Sequence, residues 1–454
     1  MALPPTFPLP APIQSLFWIR RPTTFMKLAQ RRFGSAFTVD LMPFSISMFS
    51  DPDSIRTIFA SKSSDMHAGE VNRILRTLVG DSSVLLLDDE EHMRHRKLLL
   101  PSFHGERMRL YGETMAELTR KVISRWREDR AFSLHPSTQE ITLQIILRTV
   151  FGAAEGAQLT DLRRQIKRML AAAEYRLSFA TMIYLSTRPE LETKRPWKWL
   201  LSARNQTDAL LYRQISQRRT DPNAHSKTDV LAMLMQARDE EGQPMTDREL
   251  RDELITALAA GHETTATALA WGFERILLHP PVYQKLREEL DAAGGMDATP
   301  EKIASLPYLD ATIKEVMRLR PVVPAVGRVL QRPMTIGGFD MPKGTAVGAC
   351  IYLAHRNPDV YPEPEAFRPE RFLGVATDPV SWLPFGGGIR RCIGAQFALY
   401  EMKIVLATIL AACDCELAQR GPARTGRRAV TLWPVGGTRI KIRRRQRSVA
   451  VAAE

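Results

Sequence analysis

The chain has 454 residues, with 63 lysines and arginines against 50 aspartates and glutamates, a formal net charge of +13. Hydrophobic residues make up 44% and charged residues 25%, which excludes wholesale disorder and allows an interior deep enough to enclose a cofactor. Four cysteines (Cys350, Cys392, Cys413, Cys415) with no C-x-x-C pair exclude a disulfide scaffold, argue against structural zinc and fit a reducing compartment.

Residues 1–19 carry no charge, but Pro4, Pro5, Pro8, Pro10 and Pro12 are too dense for a spanning helix. Arg20 and Arg21 follow the apolar run, the reverse of a secretion signal. Residues 1–35 are therefore expected to form a Pro-rich arm and first helix, outside the membrane, on a cytoplasmic protein. Residues 36–50 alternate like a strand, and Asp51–Pro52 reads as the cap and first residue of a helix. From Asp89 the pattern is almost wholly helical as far as Gly294. Asp89 is expected to cap a helix that Pro101 stops, with further helices over 106–129, 137–151, 159–173 and 203–219. Residues 187–199, with Pro189 and Pro196, read as a loop, and Asp229 opens a short helix.

Thr246-Asp247-Arg248-Glu249 is a capping box. The helix that it opens can run to His279, about 50 Å at ~1.5 Å per residue. Its middle, Leu254 to Trp271, is apolar nearly all round and must be buried. A helix over 308–320 follows, stopped by Pro321, then short strands over 325–350 with a Gly337–Gly338 turn. Six prolines between 358 and 384 exclude regular structure there. A helix over 394–412 and a strand-like, then basic, tail over 439–447 close the pattern. No repeat or linker divides it. The chain reads as mainly α with small β-sheets, one large domain (36–447) around a long central helix, with a tail over 448–454.

The chemistry is densest at Phe385-Gly386-Gly387-Gly388-Ile389-Arg390-Arg391-Cys392-Ile393-Gly394. Glycines let backbone N–H groups approach the cysteine sulfur, and the helix that follows favours a thiolate at its N-terminus. Amide hydrogen bonds tune a metal bound to such a sulfur. This F-x-x-G-x-R-x-C-x-G pattern resembles the cytochrome P450 family of haem-thiolate monooxygenases, and the resemblance spans nearly the whole chain. It implies that Cys392 is the axial thiolate of haem b, with Phe385, Gly388 and Gly394 shaping the cofactor loop. The other three cysteines are expected to be structural.

The same resemblance gives roles to three further motifs. Ala260-Gly261-His262-Glu263-Thr264-Thr265 lies mid-way along the central helix. There Ala260 and Gly261 would face the cofactor, Gly261 leaving room for a small ligand. Thr264, able to bond the Ala260 carbonyl, would position water, Glu263 would feed protons for dioxygen cleavage, and His262 would be structural. Glu315-Val316-Met317-Arg318, with Arg371 in Pro369-Glu370-Arg371-Phe372, resembles the family's structural Glu–Arg–Arg triad. Two propionates need cationic partners, and the resemblance points to His92, Arg96, Arg328 and Arg390. His92 and Arg96 share one helix face at i, i+4.

There is no G-x-x-x-x-G-K-[ST] and no strand–G-x-G-x-x-G–helix, so electrons are expected from a separate protein. If His92 and Arg96 face the haem, Arg94, Lys97, Arg391 and Lys403 would form an outward basic patch for an acidic ferredoxin or flavodoxin with its reductase. Basic residues are otherwise scattered, which argues against nucleic acid. Apolar residues (Leu85, Leu86, Leu87, Val322, Val323, Val326) in segments assigned to the pocket, which include 177–190, imply a lipophilic small molecule oxidised with O2 by a monomer. A peroxide-using or non-oxidative haem-thiolate enzyme, or a haem-binding sensor, is the alternative.

Overall fold

A computed structural model describes residues 3–42, 44–103, 107–152, 157–171, 188, 190 and 198–446. The proline-rich segment is pinned to the first strand. The Thr38 hydroxyl donates to the Pro4 carbonyl at 2.8 Å, and the Thr38 N–H donates to that of Pro5 at 2.9 Å. Two helices follow, α1 (Ala11–Arg20) and α2 (Pro22–Phe33).

The 36–50 segment is a hairpin rather than one strand. β1 (Ala36–Leu41) and β2 (Phe44–Phe49) pair antiparallel, with Ala36 opposite Phe49 and Leu41 opposite Phe44. The apolar positions switch from Phe37, Val39 and Leu41 to Phe44, Ile46 and Met48 across Pro43, and that change of phase marks the turn that a single-strand reading passes over. β3 (Met66–His67), β5 (Val326–Leu330) and β8 (Ala346–Ala349) complete a five-stranded sheet in the order β1-β2-β8-β5-β3. β6 (Met334–Ile336) and β7 (Phe339–Met341) form the expected hairpin around Gly337–Gly338.

The helical part is α3 (Pro52–Ala60), α4 (Asp89–Leu99), α5 (Arg107–Ile123), α6 (His135–Phe151), α7 (Ala157–Ala171), α8 (Lys198–Arg219), α9 (Val230–Gln236), α10 (Asp247–Leu277), α11 (Pro280–Ala292), α12 (Pro307–Leu319) and α13 (Ala395–Ala412). The Asp51 and Asp229 caps form as expected, each accepting from a backbone N–H. Asp89 does not cap α4. The N-cap position is Asp88, and its carboxylate is drawn to Ala68 N and Gly69 N at 2.9 and 3.0 Å instead. The 187–199 loop lies outside the described residues apart from 188, 190 and the helical 198–199.

The central helix, α10, has both halves of its capping box and 31 residues, ending just before the proline pair. It is packed between α6 and α13, with Trp271, Phe273, Leu254 and Leu258 fully buried. α13 is apolar enough for a membrane by composition, yet 67% of it lies inside the protein, where it forms the other wall of the core. Of the sheets at the C-terminal end, the strand expected over 439–447 is present as β12 (Arg439–Arg444), while its partners and the hairpin before it were not read from sequence. β9 (Cys413–Leu417) and β4 (Phe132–Ser133) flank β12, while β10 (Thr425–Arg428) and β11 (Thr431–Pro434) make a hairpin.

Candidate active site

The glycine loop ahead of α13 is shaped by what it touches. Gly386 and Gly388 have φ of +67° and +64°. A Cβ on Gly388 would stand 2.0 Å from the Phe59 carbonyl oxygen, and one on Gly387 2.4 Å from the Phe59 ring. Glycine is needed for the loop to lie against the end of α3. The loop then closes by a bond from Cys392 N to the Phe385 carbonyl, 3.0 Å. The Gly394 N–H points at the Cys392 sulfur. Burial pushes the thiol up, while Gly394, Arg391 and Arg96 each pull toward the thiolate. Cys392 lies deep in the chain, yet the residue keeps open surface, unlike the other three cysteines. Cys350, Cys413 and Cys415 are closed in, and burial holds the first two thiols up to about 12 and 11.

Four basic groups converge from three elements. His92 of α4 is buried, and its Nδ1 has no hydrogen-bond partner. Burial pushes it down to about 3, and Arg390, Arg96 and Arg328 push the same way. Arg328 on β5 is itself driven down to about 10 by burial and by Arg390. Its Nη1 donates to the Gly327 carbonyl at 2.7 Å, and Arg96 donates to that of Arg391 at 2.8 Å. Arg390 bonds the Val84 carbonyl at 3.1 Å and also pairs with Leu87 O and Asp88. Asp88 and Asp89 are the acids that this cluster feels, and both already serve other donors. Buried cations short of counter-charge, around an unpartnered imidazole, fit a cofactor that brings two carboxylates.

The central helix presents one open stripe. Ala260 is exposed and Ala257, Gly261 and Thr264 are partly so, as is Ala259 on the other side of the helix, whereas Leu254, Leu258, Ala266 and Leu269 are fully buried. The spacing places Ala257, Ala260, Gly261 and Thr264 on a single face. The Thr264 hydroxyl donates to the Ala260 carbonyl at 2.6 Å, the bond expected from sequence. Gly261 is different: a Cβ there would come within 3.2 Å of Ile146 Cδ1 on α6. Close packing of two helices gives this glycine a second reason, while its backbone keeps partial exposure on the open stripe.

Glu263 does not share the Thr264 face. Its carboxylate accepts from Gln139 at 2.6 Å and Thr267 at 3.2 Å, with His135 at 3.4 Å and Arg428 at 3.6 Å. Against the cost of burial, His135 and Gln139 hold it well below the usual carboxylate range. It is an ionised acid turned toward α6, so a direct proton gift to Thr264 is not the arrangement seen. His262 is structural as expected, with Nδ1 3.1 Å from the Thr142 hydroxyl.

Behind the cysteine loop, Arg318 makes a two-point pair with Glu315 at 2.7 and 2.9 Å, and Arg371 adds a third bond at 3.1 Å. Arg318 also holds the carbonyls of His355, Pro364 and Ala366. His355 accepts from Leu383 N at 2.8 Å, just ahead of Phe385, so the triad reaches the loop through one imidazole.

The family model for cytochrome P450 matches residues 4–440. The chain is a cytochrome P450. It is similar to cytochrome P450 135B1 of Mycobacterium tuberculosis and Mycobacterium bovis, 41% identical over 98% of this chain and 92% of the relative. Cytochrome P450 138 of Mycobacterium tuberculosis is 35% identical over 98% of this chain and 97% of its own. A retinoic-acid-bound cyanobacterial P450, CYP120A1, superposes with TM-score 0.85 at 26% identity, covering 98% of this chain and 100% of that one. Membership makes this P450 a haem-thiolate monooxygenase with haem b as its cofactor.

One expectation for this P450 is corrected by the ion pairs. Arg94 is bound by Asp239 and Glu249, both at 2.6 Å, Lys97 by Glu240 at 2.6 Å and Lys403 by Asp310 at 2.7 Å. Acids on other elements, invisible to a helix-wheel argument, neutralise the basic patch. Arg391 stays exposed.

Phe59, Asp88 and His355 escaped the sequence reading because each acts through a distant partner. His355 also sets a pH dependence. Nε2 accepts from Leu383 N, so Nδ1 carries the proton that goes to the Arg318 carbonyl at 3.0 Å. Burial first, then Arg318, holds His355 down to about 3, and burial holds His262 to about 4. Below ~6.5 the unfolded chain takes up protons at His355, His262 and His92 that the haem-free folded one refuses. Their contribution to stability is thus complete above ~6.5 and is lost progressively as the pH falls below it. His95, held up by Glu253 and Glu249 against burial, works the other way and only above ~6.5. Urea midpoints should drop steeply between about pH 6.5 and about pH 5; a flat profile contradicts this assignment.

Proposed function

We propose that Cys392 is the axial ligand and that this P450 hydroxylates or epoxidises a lipophilic small molecule. The observation carrying this is a cysteine that keeps open surface, its sulfur held by Gly394 and Arg96, in a fold whose central helix opens one stripe at Ala260 and Thr264. The bound haem supplies dioxygen activation with two electrons from outside the chain. His92, Arg96, Arg328 and Arg390 would hold its carboxylates, and Phe385, Gly388 and Gly394 its thiolate side. The Thr264 hydroxyl, its proton engaged by Ala260, offers lone pairs that can order a water over the open stripe. Glu263 stands one position away and anchors that turn to α6. It can relay a proton only after letting go of Gln139 and His135 and first taking up a proton itself.

Leu85, Leu86, Leu87, Val323 and Val326 are half-buried, as expected of an apolar lining, while the 177–190 segment lies almost wholly outside the described residues. The retinoic-acid-bound relative supports the same ligand class. A one-electron carrier, an acidic ferredoxin or flavodoxin, would deliver electrons in the cytoplasm near Arg391, to a monomer. The test is a ligand screen by haem spin-state shift, followed by turnover with surrogate redox partners. A lipophilic ligand should shift the spectrum and give a product that requires dioxygen. Turnover supported by peroxide and not by dioxygen plus reductant would overturn the reading.

A further inference from the structure

Helix α1 turns part of its apolar surface outward. Its buried residues include the polar Gln14, one turn from Trp18, while Ile13 is 48% and Leu16 51% exposed. Gln14 is satisfied in that position. Its Nε2 donates to the carbonyls of Phe7 and Leu9 at 3.0 and 2.8 Å, and its Oε1 accepts from Asp40 N at 3.0 Å. A surface helix ordinarily turns its apolar stripe to the core. Here Trp18 and Phe17 do pack on Phe25, but Gln14 is locked inward beside them while Ile13 and Leu16 face out.

Met42, 57% exposed, lies beside the same helix, since its N–H donates to the Ser15 hydroxyl at 3.2 Å. At ~100° per residue, Ser15, Leu16 and Ile13 follow one another around the outer side. Met42, Leu16 and Ile13 are therefore exposed in turn along the outer side, with Leu16 between the other two. Arg20 falls on the same side of α1, Arg21 follows it, and both are exposed. Residues 1–39 contain five cations, Arg20, Arg21, Lys27, Arg31 and Arg32, and no acidic residue.

We propose that this face docks on an anionic phospholipid surface. Ile13, Leu16 and Met42 enter the headgroup layer, and Arg20 and Arg21 meet lipid phosphates. An apolar patch beside cations is the chemistry of an interfacial helix, and a ten-residue helix is too short to span. Asp40 stands two positions before Met42 and Lys27 is paired with Glu365 at 2.6 Å, so the preference for a negatively charged sheet over a neutral one rests on Arg20 and Arg21.

The experiment is co-sedimentation of the full holoenzyme with vesicles of phosphatidylcholine, alone or with about a third phosphatidylglycerol. Binding should appear with the anionic vesicles at low salt and fade as salt rises. Because the whole chain is basic, charge alone cannot assign the face. The triple variant Ile13→Ser, Leu16→Ser, Met42→Ser keeps every charge and alters only exposed side chains. Its partitioning should fall about tenfold or more, with the haem spectrum and melting unchanged. Arg20→Gln with Arg21→Gln should cost about fivefold per cation. In Leu16→Trp, the new indole should be quenched by brominated lipid. No vesicle binding at low salt overturns the proposal, and so does binding that the triple variant leaves intact. A parent dimer that the triple variant turns into a monomer overturns it too, since the face is then an interface between copies.

Discussion

Thr264→Ala should leave ligand binding near that of the parent while most reducing equivalents leave as hydrogen peroxide instead of product. The hydroxyl sits on the open stripe of α10, donates to Ala260 and has lone pairs to spare for a water. Alanine fills the same turn without a polar atom, so the fold is kept and the ordered water lost. Positioned proton transfer typically contributes ~10²–10⁴-fold, so product formed per reductant consumed should collapse. Thr264→Ser keeps the hydroxyl and should recover most of the coupling. An unchanged product-to-reductant ratio in Thr264→Ala removes the residue from the chemistry.

Glu315→Gln is expected to damage the fold rather than the chemistry. Glu315 and Arg318 are fully buried, and Arg371 leans on the same carboxylate. Glu315 also accepts from Arg368 N at 2.9 Å, so four donors lose their charge partner together. Breaking a buried pair by removing one partner costs roughly 3–5 kcal/mol. Set against a total of about 5–15 kcal/mol, that is a large share of stability. Haem content should fall as well, because the coil from His355 to Leu383 loses its clasp on the cysteine loop. Arg371→Lys, which keeps the charge at the half-exposed end, should cost far less. Urea unfolding measures both, and equal midpoints for parent and Glu315→Gln would contradict a structural role for the triad.

What sequence made legible follows from range. Elements fixed by neighbours, such as the Thr246–Glu249 capping box, the Asp51 and Asp229 caps and the Gly337–Gly338 turn, came through. So did the Thr264–Ala260 bond and the Glu315–Arg318 pair, at i−4 and i+3. Gly387 and Gly388 were visible as a motif, but their reason was not. It lies in Phe59, more than three hundred positions upstream. The basic patch failed for the same cause. A helix wheel gives the side on which Arg94 and Lys97 stand and says nothing of Asp239, Glu240 and Glu249 facing them from other elements. Glu263 was located correctly on α10, but its direction is decided by His135, Gln139 and Arg428. The 439–447 strand came through as β12, but β9, β10 and β11 were missed because they are short, with charged residues such as Asp414 and Glu416 on the outer face of β9.

The central claim is that the Cys392 sulfur is the haem ligand, and the reduced carbon monoxide difference spectrum tests it most directly. A thiolate pushes electron density onto iron and shifts the Soret band to the red of a histidine-ligated haem. The parent should show that red-shifted band. Cys392→His should bind haem and show only the histidine-type band, while Cys350→Ala, Cys413→Ala and Cys415→Ala should each keep the parent spectrum. A red-shifted band that survives in Cys392→His, or disappears in one of the other three, would contradict the account.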